Sequence, residues 1–192
     1  MKHLTSIAAA ACLSLTACIG VDVDIEVLSD DTGRMTGIFE MQRGMYDMAA
    51  ADGDSDFCDE SEGGTLELTP DKAICRMDRT ATFEELFAGD DDDTEINAQI
   101  EPLGNNTVRV TIPLDDFGND MDEMLDDPAM LAMFRPMLDG YAISFSVSGA
   151  EILSSNGEVS ADGRRATFAM PLTGLLDADL DLPDAFVTEV RY

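Results

Sequence analysis

From Val21 to Val27 the chain alternates without a break, with Val21, Val23, Ile25 and Val27 interleaving Asp22, Asp24 and Glu26. Successive side chains of a strand point to opposite faces, so only β-structure lets this stretch bury one side and wet the other. The same period of two returns in Ile96, Ala98 and Ile100, and in Val108, Val110 and Ile112. It returns again in Tyr141, Ile143, Phe145 and Val147, and in Ala166, Phe168 and Met170. Turn-forming residues separate these runs at Asp30 to Gly33, Gly104 to Asn106, Asn156 to Gly157 and Asp162 to Gly163. The pattern predicts an antiparallel, hairpin-rich sheet with one buried face.

Helical spacing takes over between the strands. Phe117, Met121, Met124 and Leu125 fall at i, i+4, i+7 and i+8, and Met130, Met133, Phe134 and Met137 at i, i+3, i+4 and i+7. Asp127 as N-cap and Pro128 as first helical residue divide two short helices, and Pro136 ends or kinks the second. Thr82 and Glu85 form a capping box that opens a helical turn carrying Phe83, Leu86 and Phe87. The expected fold is therefore α+β: the antiparallel sheet, with one face covered by short Met-rich amphipathic helices.

The N-terminus reads as a signal. Met1, Lys2 and His3 precede an uncharged, largely apolar stretch from Leu4 to Leu15, too short to cross a bilayer as a helix, which takes roughly 20 residues. Leu15, Thr16, Ala17 and Cys18 then resemble the lipobox of bacterial lipoproteins. That resemblance implies removal of residues 1–17, a diacylglyceryl group on the Cys18 sulfur and an acyl group on its new amine. Two or more acyl chains hold a protein stably to a membrane. Residue 19 is Ile and not Asp, which in a Gram-negative host implies sorting to the periplasmic leaflet of the outer membrane. Only Ile19 and Gly20 lie between Cys18 and the first alternating strand, a reach of less than about 8 Å, so the Val21 end is expected to face lipid.

Cys12 leaves with the signal and Cys18 is acylated, so Cys58 and Cys75 remain in an oxidising compartment and are expected to pair with each other. The mature chain, residues 18–192, suits a single domain. Lys2 is the signal's only formal charge, so the mature form keeps all 40 acidic residues and one basic residue fewer than the 11 of the whole chain, whose formal charge is −29. Nucleic acid would repel it. The only histidine is His3, lost with the signal, which excludes Ser/His/Asp and Cys/His catalysis and histidine-ligated metal sites. Lys72, the only lysine besides Lys2, sits in the turn-like stretch "TPDKA". No enzyme activity, cofactor or metal site is expected. Asp52, Asp54 and Asp56 imitate the start of an EF-hand loop, but Phe57 stands at its glycine position and Gly63 at its bidentate glutamate.

"VDVDIEVLSDDTGRMTGIFEM" from Val21 and "SSNGEVSADGRRATFAMPL" from Ser154 resemble the LppM-type lipoprotein domain over roughly Cys18 to Leu172. That resemblance implies an α/β domain compared with lipid-interacting folds and without established catalysis. Many members continue into a C-terminal membrane span; this chain ends at Tyr192 without one, which makes the acyl anchor the expected attachment. The functional expectation is a membrane-anchored, extracytoplasmic binding domain whose ligand, an envelope lipid or other apolar molecule, sits against Met121, Met124, Met130, Met133, Phe134 and Met137. Methionine makes adaptable apolar surfaces. The alternative is a structural lipoprotein that contacts another envelope protein.

Overall fold

The computed structural model describes residues 20–52, 57–58, 63–87, 98–114, 135, 138, 140–175 and 182–192. Among the described residues, eleven strands form two sheets. The larger sheet contains β1 (Gly20–Val27), β2 (Thr32–Gln42), β3 (Thr65–Leu68), β4 (Lys72–Thr82), β7 (Ala142–Ser148), β9 (Glu158–Val159) and β10 (Arg165–Pro171), in the order β3-β4-β2-β1-β7-β10-β9. The smaller contains β5 (Gln99–Gly104), β6 (Thr107–Pro113), β8 (Glu151–Ser155) and β11 (Ala185–Arg191), in the order β5-β6-β11-β8. Three short helices are described: α1 (Arg43–Asp52), α2 (Phe83–Phe87) and α3 (Leu172–Leu175).

Alternation places the core. Val23, Ile25 and Val27 of β1, Phe145 and Val147 of β7 and Ala166 of β10 face Val108, Val110 and Ile112 of β6 and Phe186 and Val190 of β11 in one buried cluster, completed by Phe83 and Leu86 of α2. Each sheet thus hides the apolar face of the other, as in a β-sandwich. This corrects the expected α+β fold. The chain is mostly β, and a second sheet, not a layer of Met-rich helices, covers the first. Alternation reports that a strand has one buried face but not which sheet it joins, so strands of two sheets were legible as one. The residues from Met121 to Met137 to which those helices were assigned lie outside the described ones, Arg135 apart. The expected antiparallel order also fails at one place: β1 and β7 pair in parallel, from Gly20 opposite Ala142 to Glu26 opposite Ser148.

Several local readings hold. β1 and β2 pair antiparallel around the Asp30–Gly33 turn. At the β5–β6 turn Gly104, Asn105 and Asn106 all take positive φ, a conformation that glycine and asparagine tolerate best. The Thr82 backbone N–H donates to Glu85 Oε2 at 3.1 Å and the Glu85 N–H donates to Thr82 Oγ1 at 3.3 Å, which is the reciprocal capping box that starts α2.

Two glycines allow the chain to change sheets. Between β7 and β8 it passes from the large sheet to the small one, and a Cβ on Gly149 would lie 2.6 Å from Val190 Cγ2 and 2.8 Å from the Arg191 carbonyl oxygen. It returns between β8 and β9, where a Cβ on Gly157 would lie 2.6 Å from the Thr167 carbonyl oxygen and 2.7 Å from the Phe186 ring. Both crossings require backbone approach that any side chain would obstruct.

Candidate functional site

The outward face of the large sheet carries a polar layer. With its valines and isoleucine in the core, β1 turns Asp22, Asp24 and Glu26 outward. Glu26 stands in register with Arg34 of β2 and Ser148 of β7, and Ser148 with Arg165 of β10. One step along, Asp24 stands between Thr36 and Ser146, and Ser146 beside Thr167. The parallel β1–β7 pairing brings these rows together. Residues 124 positions apart thereby become hydrogen-bonding neighbours.

Asp24 is the unusual member, only 9% exposed although it lies on the outer face. Ser148 Oγ donates to Asp24 Oδ1 at 2.9 Å, and the Arg165 guanidinium pairs with Oδ2. Burial raises the Asp24 pKa above the ordinary aspartate value; the Ser148 hydrogen bond and the Arg165 charge pull against it, while Asp22 and Glu26 push the same way as burial. Around it, the Ser146 and Thr167 hydroxyls share a hydrogen bond of 2.9 Å. Arg34 grips Asp78 of β4 with Nε on Oδ1 at 2.8 Å and Nη2 on Oδ2 at 2.6 Å. That two-point bond lowers the Asp78 pKa.

A shallow cleft of about 240 Å³ opens here, lined by Asp24, Glu26, Arg34, Thr36, Ser148 and Arg165. A neighbouring cleft of about 220 Å³ shares Glu26, Ser148 and Arg165 with it and adds Gly149, Asp162 and Arg164. Carboxylates, guanidinium groups and hydroxyls alternate across a few strands, so the surface can both donate and accept hydrogen bonds. Such a set suits recognition of a polar group. Among the described residues, no three or more His, Cys, Asp or Glu side chains are grouped to hold a metal ion.

Of the residues singled out in the sequence, Cys58 and Cys75 are joined in a disulfide, with Cα atoms 5.4 Å apart. It ties the chain beyond α1 to the buried side of β4, where Cys75 lies opposite Phe39 and Leu66. Tyr46 of α1 packs edge-on against Phe57, with ring centroids 5.9 Å apart. Cys18, Met121, Met124, Met130, Met133, Phe134 and Met137 lie outside the described residues, as do Asp54 and Asp56. Sequence reasoning passed over the Asp24 cluster, treating Asp22, Asp24 and Glu26 as a plain wet face. One signal was present: Ser144, Ser146 and Ser148 alternate with apolar residues on β7, supplying small hydroxyls where an outer face more often carries long charged side chains.

The whole arrangement is similar to a solved structure, the NMR structure of the folded domain of LppM from Mycobacterium tuberculosis, with a TM-score of 0.51 over 91% of this chain and 90% of that one. The two share a fold. Sequence identity across the LppM match is 13%, so the likeness concerns architecture. No family model and no curated protein matches the sequence. Among the described residues of this LppM-like domain, no helix is long and apolar enough to cross a membrane.

Proposed function

We propose that this chain is an envelope lipoprotein, held to a membrane by acyl groups on Cys18, whose LppM-like domain binds a ligand and performs no catalysis. The observation that carries this reading is a juxtaposition: a complete "LTAC" ends two residues before Gly20, the first residue of β1, in a domain whose fold is shared with the folded domain of LppM. The Asp24 cluster supports binding as its mode of action. Asp24 is a buried acidic group fixed by Ser148 and Arg165 at the edge of a cleft, its pKa raised by burial, and such groups gather at binding sites as well as in structural ion pairs. The residues that line the cleft include neither a thiol nor an imidazole, and of its two hydroxyls, Thr36 and Ser148, the second donates to the Asp24 carboxylate.

The ligand class put forward is an envelope lipid, with its polar headgroup at the Asp24 cleft, where Arg34, Arg165 and the Thr36 hydroxyl offer donors to phosphate or sugar oxygens. A second reading, contact with another envelope protein, draws support from the shallow form of the cleft on an extended sheet face. Native mass spectrometry of gently extracted, naturally processed protein separates the two. A lipid adduct that weakens in Arg165→Leu supports the first, and a stoichiometric protein partner supports the second. Material that carries neither contradicts binding as the function.

A further inference from the structure

Resting on the reading of Cys18 as an acyl anchor, the structure shows what stands beside that anchor. β1 begins at Gly20, and its antiparallel register with β2, Val21 opposite Phe39, brings the end of β2 to the same edge of the sheet. The next strands follow: Gln42 stands opposite Lys72 at the start of β4, and Leu68, the last residue of β3, opposite Ala73. On the other side Gly20 pairs with Ala142. Helix α1 leaves β2 at this end, one strand spacing of about 5 Å from the line of β1.

α1 is an odd helix for so acidic a chain. Met48 is 69% exposed and Met45, one turn earlier on the same side, 47%. Gly44, Ala50 and Ala51 are exposed as well. Its charges do little to wet this surface: Arg43 and Asp47 pair with each other at 2.7 Å, and Asp52 is the last residue. Leu68, at 45% exposure, adds a third exposed apolar side chain at the end of β3 on the same edge of the sheet. The helix is fixed beside it, since the Arg43 backbone N–H donates to the Asp71 carbonyl oxygen at 2.9 Å and Arg43 Nη1 donates to the Thr69 carbonyl oxygen at 3.4 Å.

We infer that Met45, Met48 and Leu68 form a second membrane contact, a patch that enters the headgroup boundary of the bilayer holding the Cys18 acyl chains. The occupant is a lipid surface because the patch lies at the anchored end. With Cys18 two residues from Gly20, a reach of less than about 8 Å, the anchor draws that end of the sheet against the membrane. Exposed methionines on a short helix and a leucine at the end of a strand offer apolar area that such a boundary can bury. The domain then stands upright on its anchor.

The chain contains no tryptophan, so a single introduced indole is a clean depth probe. Full-length, naturally lipidated Met48→Trp, Leu68→Trp and Leu28→Trp are reconstituted in phosphatidylethanolamine and phosphatidylglycerol vesicles with brominated acyl chains. Leu28 follows the far end of β1 and is also 45% exposed. The expected result is at least about twofold quenching and a blue shift for Met48→Trp and Leu68→Trp, with Leu28→Trp unchanged. Two probes on one patch guard against a single variant that fails to fold. Absent quenching at both, or equal quenching at all three, overturns the patch when intact mass shows Cys18 acylated. Unacylated Cys18 instead overturns the anchor and removes the patch with it.

Discussion

Asp24 keeps a carboxylate where burial opposes its charge, and that conflict has a measurable sign. Its pKa in the folded protein lies above the ordinary aspartate value, so the native state holds the proton more tightly than the unfolded chain does. Its contribution to stability is complete below the unfolded pKa of about 3.9 and is lost as pH rises through the folded value. Asp24→Asn removes the penalty while an amide oxygen still accepts from Ser148. The variant is expected to melt at or above the parent temperature at pH 7, with the difference vanishing near pH 3.5, as followed by circular dichroism. A variant much less stable than the parent at pH 7 would show the Arg165 pair to outweigh desolvation. Asp78 behaves oppositely: its lowered pKa gives stability that is present above the unfolded value and lost as pH falls through the folded one.

Among the elements, what was legible depended on whether local chemistry or remote pairing decided the outcome. β1 was legible because every second residue from Val21 to Val27 is apolar, and α2 because Thr82 and Glu85 close their box within four residues. β2 is harder to read. Its inward positions are Gly33, Met35, Gly37 and Phe39, and two glycines dilute the apolar signal. β11 turns Thr188 fully inward, tolerated because Ser155 shares a hydrogen bond with it at 2.8 Å, so its polar residue disguises a buried strand. Neither the parallel β1–β7 pair nor the division into two sheets leaves a local mark. The Asp24 cluster depends on that pairing and was hidden with it. The sheet crossings give the prediction at this scale. Gly149→Ala and Gly157→Ala force a methyl against carbonyl oxygens and side chains, and each is expected to cost about 1–3 kcal/mol in denaturant unfolding. Gly44→Ala in the first turn of α1, with nothing within 4 Å of its Cβ, is expected to be neutral or to gain up to about 0.5 kcal/mol, less than in a helix interior. Equal effects at all three positions would contradict the close-approach argument.

At the scale of the molecule, the large sheet has two unlike ends. Gly20, α1 and Leu68 gather at one, with apolar side chains exposed; Leu28, α2 and the Gly149 crossing lie at the other. The Asp24 cleft sits between them on the outer face, and Glu26 and Arg34 place it toward the second end, roughly 13–20 Å along β1 from Gly20 at the usual strand rise. A lipoprotein standing on Cys18 would therefore hold its polar cleft clear of the anchoring bilayer and open to the envelope space, so the headgroup proposed for it would belong to a lipid outside that bilayer. Everything in that orientation depends on the anchor. Intact mass determination on protein made in a lipoprotein-processing bacterium tests it most directly: the expected mass is that of residues 18–192 plus a diacylglyceryl group and an N-acyl chain. A mass equal to the unmodified chain, with residues 1–17 retained, would contradict it.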